Sequence, residues 1–145
     1  MHSAVGGDDI WSCQESMGLD WMQQTGIPNI ENNIQQGSSL VILMGVNDLY
    51  QANNYISYLN SNATSWKNRG ANIYFVSVNP TEGSYNSLNT DIDSFNQRLR
   101  ARLTSNITYI DTNSYLKSNG FSTTDGLHYT NDTYNDIYNY IKSRV

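Results

Sequence analysis

Leu40-Val41-Ile42-Leu43-Met44 is apolar at every position and runs straight into the polar loop Gly45-Val46-Asn47-Asp48. A strand with one wet face alternates apolar with polar, so an unbroken apolar run describes a strand buried on both faces, as in a parallel sheet covered by helices. Ile73-Tyr74-Phe75-Val76-Ser77-Val78, rich in β-branched and aromatic residues, has the same character. Further extended segments are expected at Asp9–Gln14 and Ile107–Asp111, with the second run continuing to Asn79. Helical spacing fills the gaps between them. Ala52, Ile56, Leu59, Ala63 and Trp66 recur at steps of three and four, and Gly70 supplies a stop. Ile92, Phe95, Leu99 and Leu103 form a second such face, and Tyr134, Ile137, Tyr138 and Ile141 a third. Gly26 and Pro28 interrupt Leu19–Gln36, which is expected to split into two short helices. Alternation of strand and helix predicts a mainly parallel sheet, joined by right-handed crossovers and covered on both faces: a three-layer α/β/α domain. The 145 residues are enough for one such domain around one core.

Charge and composition exclude several functions. A net charge of −5, with no cluster of Lys or Arg, argues against a nucleic-acid partner, whose affinity is built largely from cation–phosphate contacts. No apolar stretch reaches the roughly 18 residues of a membrane span, and the first residues lack the basic and apolar regions of a signal peptide. The single cysteine, Cys13, excludes an internal disulfide and a multi-cysteine metal site, and is expected to be a small buried residue on a strand. No metal or cofactor is expected. Sparse lysine with abundant Asn, Ser, Thr and Tyr points to an extracellular or cell-surface protein.

The polar residues that could do chemistry sit at the ends of these strands, where open α/β sheets place their sites. Of the two histidines, His2 lies beside a terminus expected to fray, so imidazole chemistry falls to His128. Asp125, three residues earlier, could fix the tautomer of that ring and leave its other nitrogen free to move a proton. The bland alternative is a helix-start turn that Asp125 merely caps. Asn47 could donate its side-chain amide to a developing oxyanion. Asp48 is expected to cap the next helix or brace the loop, and Gly18, after Ser16-Met17, offers a backbone amide at the same edge. Gly45 lets the loop turn tightly, and the stretch Pro80–Asn89 could line a cleft.

Together these segments resemble the SGNH hydrolases, also called GDSL-type esterases and lipases. Gly45-Val46-Asn47-Asp48 is similar to the family's G-x-N-D block, Asp125-Gly126-Leu127-His128 to its D-x-x-H block, and Gly18 corresponds to its isolated glycine. The resemblance implies a flavodoxin-like sheet, a catalytic His128–Asp125 pair serving a serine, and an oxyanion hole that includes Gly18 and Asn47, supported by Gly45 and Asp48. The substrate implied is a small acyl ester, with acetyl groups on carbohydrate within the family's range. The family's Gly-Asp-Ser block does not occur in the chain. Gly7-Asp8-Asp9 comes nearest and has no hydroxyl, and Ser3, Ser16 and Ser122 do not match the nucleophile position. The expectation is therefore a single bacterial-type SGNH domain spanning 1–145, truncated at its N-terminus, without its first central strand. Its unpaired neighbours would be open to self-association. The competing expectation is a non-catalytic carbohydrate-binding or interaction module on an esterase fold, using Trp11, Trp21, Tyr50 or Tyr85 to stack on sugars. A flavin-binding reading fits the sheet but lacks a phosphate-cradling loop.

Overall fold

The computed structural model describes residues 1–145. Strands β1 (Ser39–Ile42), β2 (Asn72–Val76) and β3 (Ile107–Ile110) form one parallel sheet in the order β1-β2-β3. Parallel pairing needs a crossover between consecutive strands, and helices provide both: α4 (Ala52–Asn68) joins β1 to β2, and α5 (Asn89–Arg102) joins β2 to β3. After β3 come α6 (Thr112–Asn119) and α7 (Asn131–Lys142). The α/β class and the parallel sheet are as the apolar runs predict.

The side-chain period of two divides the strands between two cores. Leu40 and Ile42, Ile73 and Phe75, and Ile107 point to one face, against Tyr55, Leu59 and Trp66 of α4 and Ile92, Phe95 and Leu99 of α5. Val76 and Ile110 point to the other, against Leu116 of α6 and Ile137 and Ile141 of α7. Each fully buried side chain of this size contributes on the order of 1.5–3 kcal/mol. Helices therefore cover both faces of the sheet, and no helix is long and apolar enough to cross a membrane.

Only three of the four expected strands form. Asp9–Gln14 is irregular and pairs with nothing. Its anchors are side chains: Asp9 accepts from the Tyr138 hydroxyl at 2.5 Å and from Lys142 at 3.1 Å, and the Ser12 hydroxyl donates to the Gly26 carbonyl at 2.7 Å. Ile10 is left 64% exposed: two aspartates precede it, and the segment pairs with no strand that would turn this side chain toward a core. Cys13 is exposed as well, contrary to expectation, and lies 3.9 Å from His2 Nδ1. His2 is not frayed; it begins the short helix α1 (His2–Val5), which packs on α7, and its ring stacks on Trp11 at 5.0 Å.

With that segment unpaired, β1 is an edge strand. Asn72 N–H donates to the Ser38 carbonyl at 2.8 Å, so in a parallel ladder residues 38, 40 and 42 bond toward β2 and residues 39, 41 and 43 present their backbone groups outward. Val41 on that edge is 38% exposed, so β1 buries only the face that carries Leu40 and Ile42, where the unbroken apolar run predicts burial on both. An edge with free donors and acceptors is a template for another strand.

The Leu19–Asn33 region does not split at Gly26. Helix α2 (Leu19–Trp21) passes through a π-helical turn (Met22–Gly26) into α3 (Ile27–Ile30) and a 3-10 turn (Glu31–Asn33). The π turn, in which Ile27 N–H reaches back to the Met22 carbonyl, shifts the ladder just before Pro28, whose missing N–H then breaks no run. Gly26 is needed there because a Cβ would lie 2.6 Å from the Trp21 ring.

Candidate active site

The Asp125–His128 turn is a self-contained acid–base unit. Asp125 Oδ1 accepts the backbone N–H groups of Leu127 at 2.9 Å and His128 at 2.7 Å, while Oδ2 faces His128 Nδ1 at 2.6 Å. A carboxylate only accepts, so the ring proton sits on Nδ1 and the lone pair of Nε2 points away from the pair. The imidazole is 64% exposed. The backbone N–H of His128, then its ring, then the N–H of Leu127 hold the Asp125 carboxyl down at about 2. Its stabilising effect is therefore present above the ordinary value of 3.8 and is lost as the pH falls through about 2.

The segment after β2 bolts this turn to the sheet. Glu82 N–H donates to the Gly126 carbonyl at 2.9 Å, and the Glu82 carboxylate accepts from Thr123 N–H at 3.1 Å and from its hydroxyl. Thr123 Oγ1 in turn accepts from Gly126 N–H at 2.9 Å. Thr124 N–H bonds the His128 carbonyl at 2.8 Å, and the Tyr129 hydroxyl donates to the Pro80 carbonyl at 2.5 Å. Gly126 adopts φ +95°, and a Cβ on it would lie 2.5 Å from the Glu82 carbonyl oxygen. Pro80–Asn89 is thus less a free loop than a brace, with a 3-10 helix at Gly83–Leu88.

A second unit forms at the end of β1. Gly45 has φ +132° and lies where a Cβ would stand 2.6 Å from Phe95 Cζ, so only glycine turns the chain here. Asp48 is buried and caps no helix. Its Oδ2 accepts Leu19 N–H at 2.7 Å and Gln51 Nε2 at 3.3 Å, and its Oδ1 accepts the Tyr55 hydroxyl at 2.7 Å. Of the two expected roles, bracing is the observed one. The carboxylate draws Gly18 so close that a Cβ there would lie 2.4 Å from Oδ2. Asn47, exposed, donates one amide hydrogen to the Met17 carbonyl at 2.8 Å and keeps the other free. Gly18 N–H has no acceptor within the chain. Two free donors therefore flank Met17-Gly18.

Both units lie beyond the carboxyl ends of the parallel strands, the β1 loop carrying one and the β2 brace holding the other. No hydrogen bond joins them directly; the link is the segment after β2, where Val78 touches Gly45 and Glu82 touches Gly126. No serine of the chain hydrogen-bonds His128. Ser3 sits exposed on α1; Ser16, with φ +60°, and Ser122 are exposed too. A shallow surface depression lined by Leu19, Gln51 and Tyr58 does not include Gly18, Asn47 or His128. No family model matches the chain, and no curated protein shows significant similarity to it.

The supporting residues Tyr55, Thr123 and Tyr129 are not foreseen from the sequence as parts of the site; Glu82 falls in the stretch expected to line a cleft and serves instead as a brace. Burial, helped by the hydrogen bond to Asp48, pushes the Tyr55 phenol up from its ordinary value of 10.0, and burial with Tyr134 and Glu82 nearby does the same for Tyr129. Raised folded values keep both phenols neutral in the native state, while the unfolded chain releases their protons above about pH 10. Stability is therefore expected to be fully present below pH 10 and to fall steadily above it. Urea midpoints measured from pH 8 to 11 check this, and the fall should be shallower in Tyr55→Phe.

Proposed function

We propose that this domain carries the acid–base and oxyanion-binding parts of an SGNH-type ester hydrolase acting on small acyl esters. The observation that carries the reading is the Asp125–His128 pair: its proton is fixed on Nδ1 and its Nε2 is exposed at the sheet edge that also bears the free donors of Gly18 and Asn47. In this chemistry Nε2 takes the proton of a serine hydroxyl as the oxygen attacks the acyl carbon. The carbonyl oxygen becomes an oxyanion held by Gly18 N–H and Asn47 Nδ2. Collapse expels the alcohol, which receives the proton from Nε2–H, and water repeats the cycle on the acyl-serine. His128 touches no serine of the chain, so the hydroxyl is a component that must be brought to it.

The test supplies that component. A strand ending in Gly-Asp-Ser, fused ahead of Met1, gives an extended chain whose hydrolysis of p-nitrophenyl acetate should rise well above that of the chain alone. In the extended chain, Asn47→Ala is expected to lower kcat by about 10²–10³, the usual cost of one oxyanion donor. An Asn47→Ala variant as active as its parent would remove Asn47 from the oxyanion hole. The absence of a serine contact to His128 equally favours a binding module on the same scaffold. In that case no extended chain gains His128-dependent turnover.

A further inference from the structure

Ser77, Val78 and Asn79 stay buried beyond the end of β2, where the chain has left the strand. Buried backbone groups that have run out of ladder need partners from elsewhere, and here side chains supply them. Asn96 of α5 accepts the Val78 N–H on its Oδ1 at 2.8 Å and donates its amide to the Val78 carbonyl at 2.8 Å, so one residue fills the place of a neighbouring strand. Asn113 of α6 donates a second amide to the same carbonyl at 2.9 Å. A row of hydroxyls completes the clamp. Asn113 N–H donates to Ser77 Oγ at 2.8 Å, that oxygen lies 3.2 Å from Thr112 Oγ1, and the Thr112 hydroxyl donates to Asn79 Oδ1 at 2.5 Å. Asn96, Thr112 and Asn113 are themselves buried.

Buried polar groups stabilise a fold only while every partner is in place, which gives such a clamp one geometry rather than several. What it fixes is the common root of the two units. Val78 Cγ2 lies 3.0 Å from where a Cβ of Gly45 would stand, so Val78 backs the turn that leads into Asn47 and Asp48. Two residues further on, the Pro80 carbonyl accepts the Tyr129 hydroxyl, and Glu82 holds Thr123 and Gly126 of the turn that carries His128. Each unit is tied up within itself and shares no hydrogen bond with the other, so their separation follows from where residues 77–79 are held.

We infer that Asn96 is a positioning residue: by holding Val78 it sets where His128 stands relative to Asn47 and Gly18. Its catalytic meaning rests on the hydrolase reading, while the coupling of the two units does not. The experiment compares Asn96→Leu with Asn60→Leu in the isotope-labelled chain. Asn60 clamps the far end of α5 in the same manner, accepting Thr104 N–H at 2.9 Å and donating to the Arg102 carbonyl at 2.9 Å. Both variants orphan buried or half-buried backbone groups and should melt below the parent. Only Asn96→Leu should move the amide signals of Gly45 and Asn47 together with those of Gly126 and His128. If Asn96→Leu does not fold, Asn113→Ala, which removes one of the two donors to the Val78 carbonyl, should move the same signals less far. Movement confined to one unit, or equal movement in Asn60→Leu, overturns the coupling. In the extended chain, Asn96→Leu should lower kcat on the order of 10²-fold with KM nearly unchanged, as misplaced reacting groups do, and Asn60→Leu should keep kcat. A folded Asn96→Leu chain that keeps kcat defeats the positioning role and leaves the hydrolase reading standing. No His128-dependent turnover in any extended chain defeats the hydrolase reading, and the amide signals alone then decide the coupling.

Discussion

Asp48→Ala is expected to destabilise the domain by about 3 kcal/mol, because it orphans the Leu19 N–H and the Tyr55 hydroxyl at a buried site, each at roughly 1–3 kcal/mol. For a domain of this size that corresponds to a fall in Tm of roughly 6–12 °C, read by circular dichroism. Asp48→Asn, which keeps an acceptor oxygen, should lose less. The site should fail along with the fold's local order: Asp48 pins the first residue of α2, and therefore Gly18, against the β1 loop. In the extended chain the alanine variant should lose turnover even at temperatures where it is fully folded. A variant that melts like its parent would show that Gly18 is placed by something other than this carboxylate.

Asp125→Asn acts chiefly on the chemistry. The asparagine oxygen can still accept the N–H groups of Leu127 and His128, so the turn should persist, with only a small fall in melting temperature at neutral pH as the charge that strengthens these bonds is lost. Its amide, however, presents a donor to Nδ1, which drives the ring proton onto Nε2, the nitrogen that acts as base in the proposed reaction. The loss of kcat in the extended chain should approach 10⁴, the order seen when the acid of a serine-protease triad is amidated. The wild-type carboxylate stays ionised at every pH well above about 2, so loss of activity on mild acidification would not come from Asp125. A variant retaining full activity would mean that the pair is only a turn.

How much of this is legible in the residues depends on how local the signal is. The three strands and helices α4, α5 and α7 follow from apolar period, and the Asp125–His128 contact follows from a spacing of three within one turn. Helix α6 is not anticipated from its apolar spacing, although its cap is written locally: Asp111 accepts Ser114 N–H at 2.9 Å. Asp9–Gln14 misleads because its strand-like text has no partner, and pairing is a property of two segments. The π turn before Pro28 is equally hidden, since the break signal is real but a change of ladder absorbs it. The brace is the hardest to read. Glu82 lies 41 residues before Thr123, and only the fold brings them together. Asp48, by contrast, shows its importance in the loop text but not its partners, which lie 29 residues upstream and 7 downstream.

In the proposed reaction His128, oriented by Asp125, is the base of an ester-cleaving site shared with Asn47 and Gly18. The most direct measurement is kcat for p-nitrophenyl acetate in the extended chain with and without His128→Ala, a substitution at an exposed side chain that should leave the melting curve in place. A fall of about 10⁴ or more is expected, toward the residual rate of binding and oxyanion contacts alone. A rate unchanged by the substitution, in a variant that still folds, would contradict it.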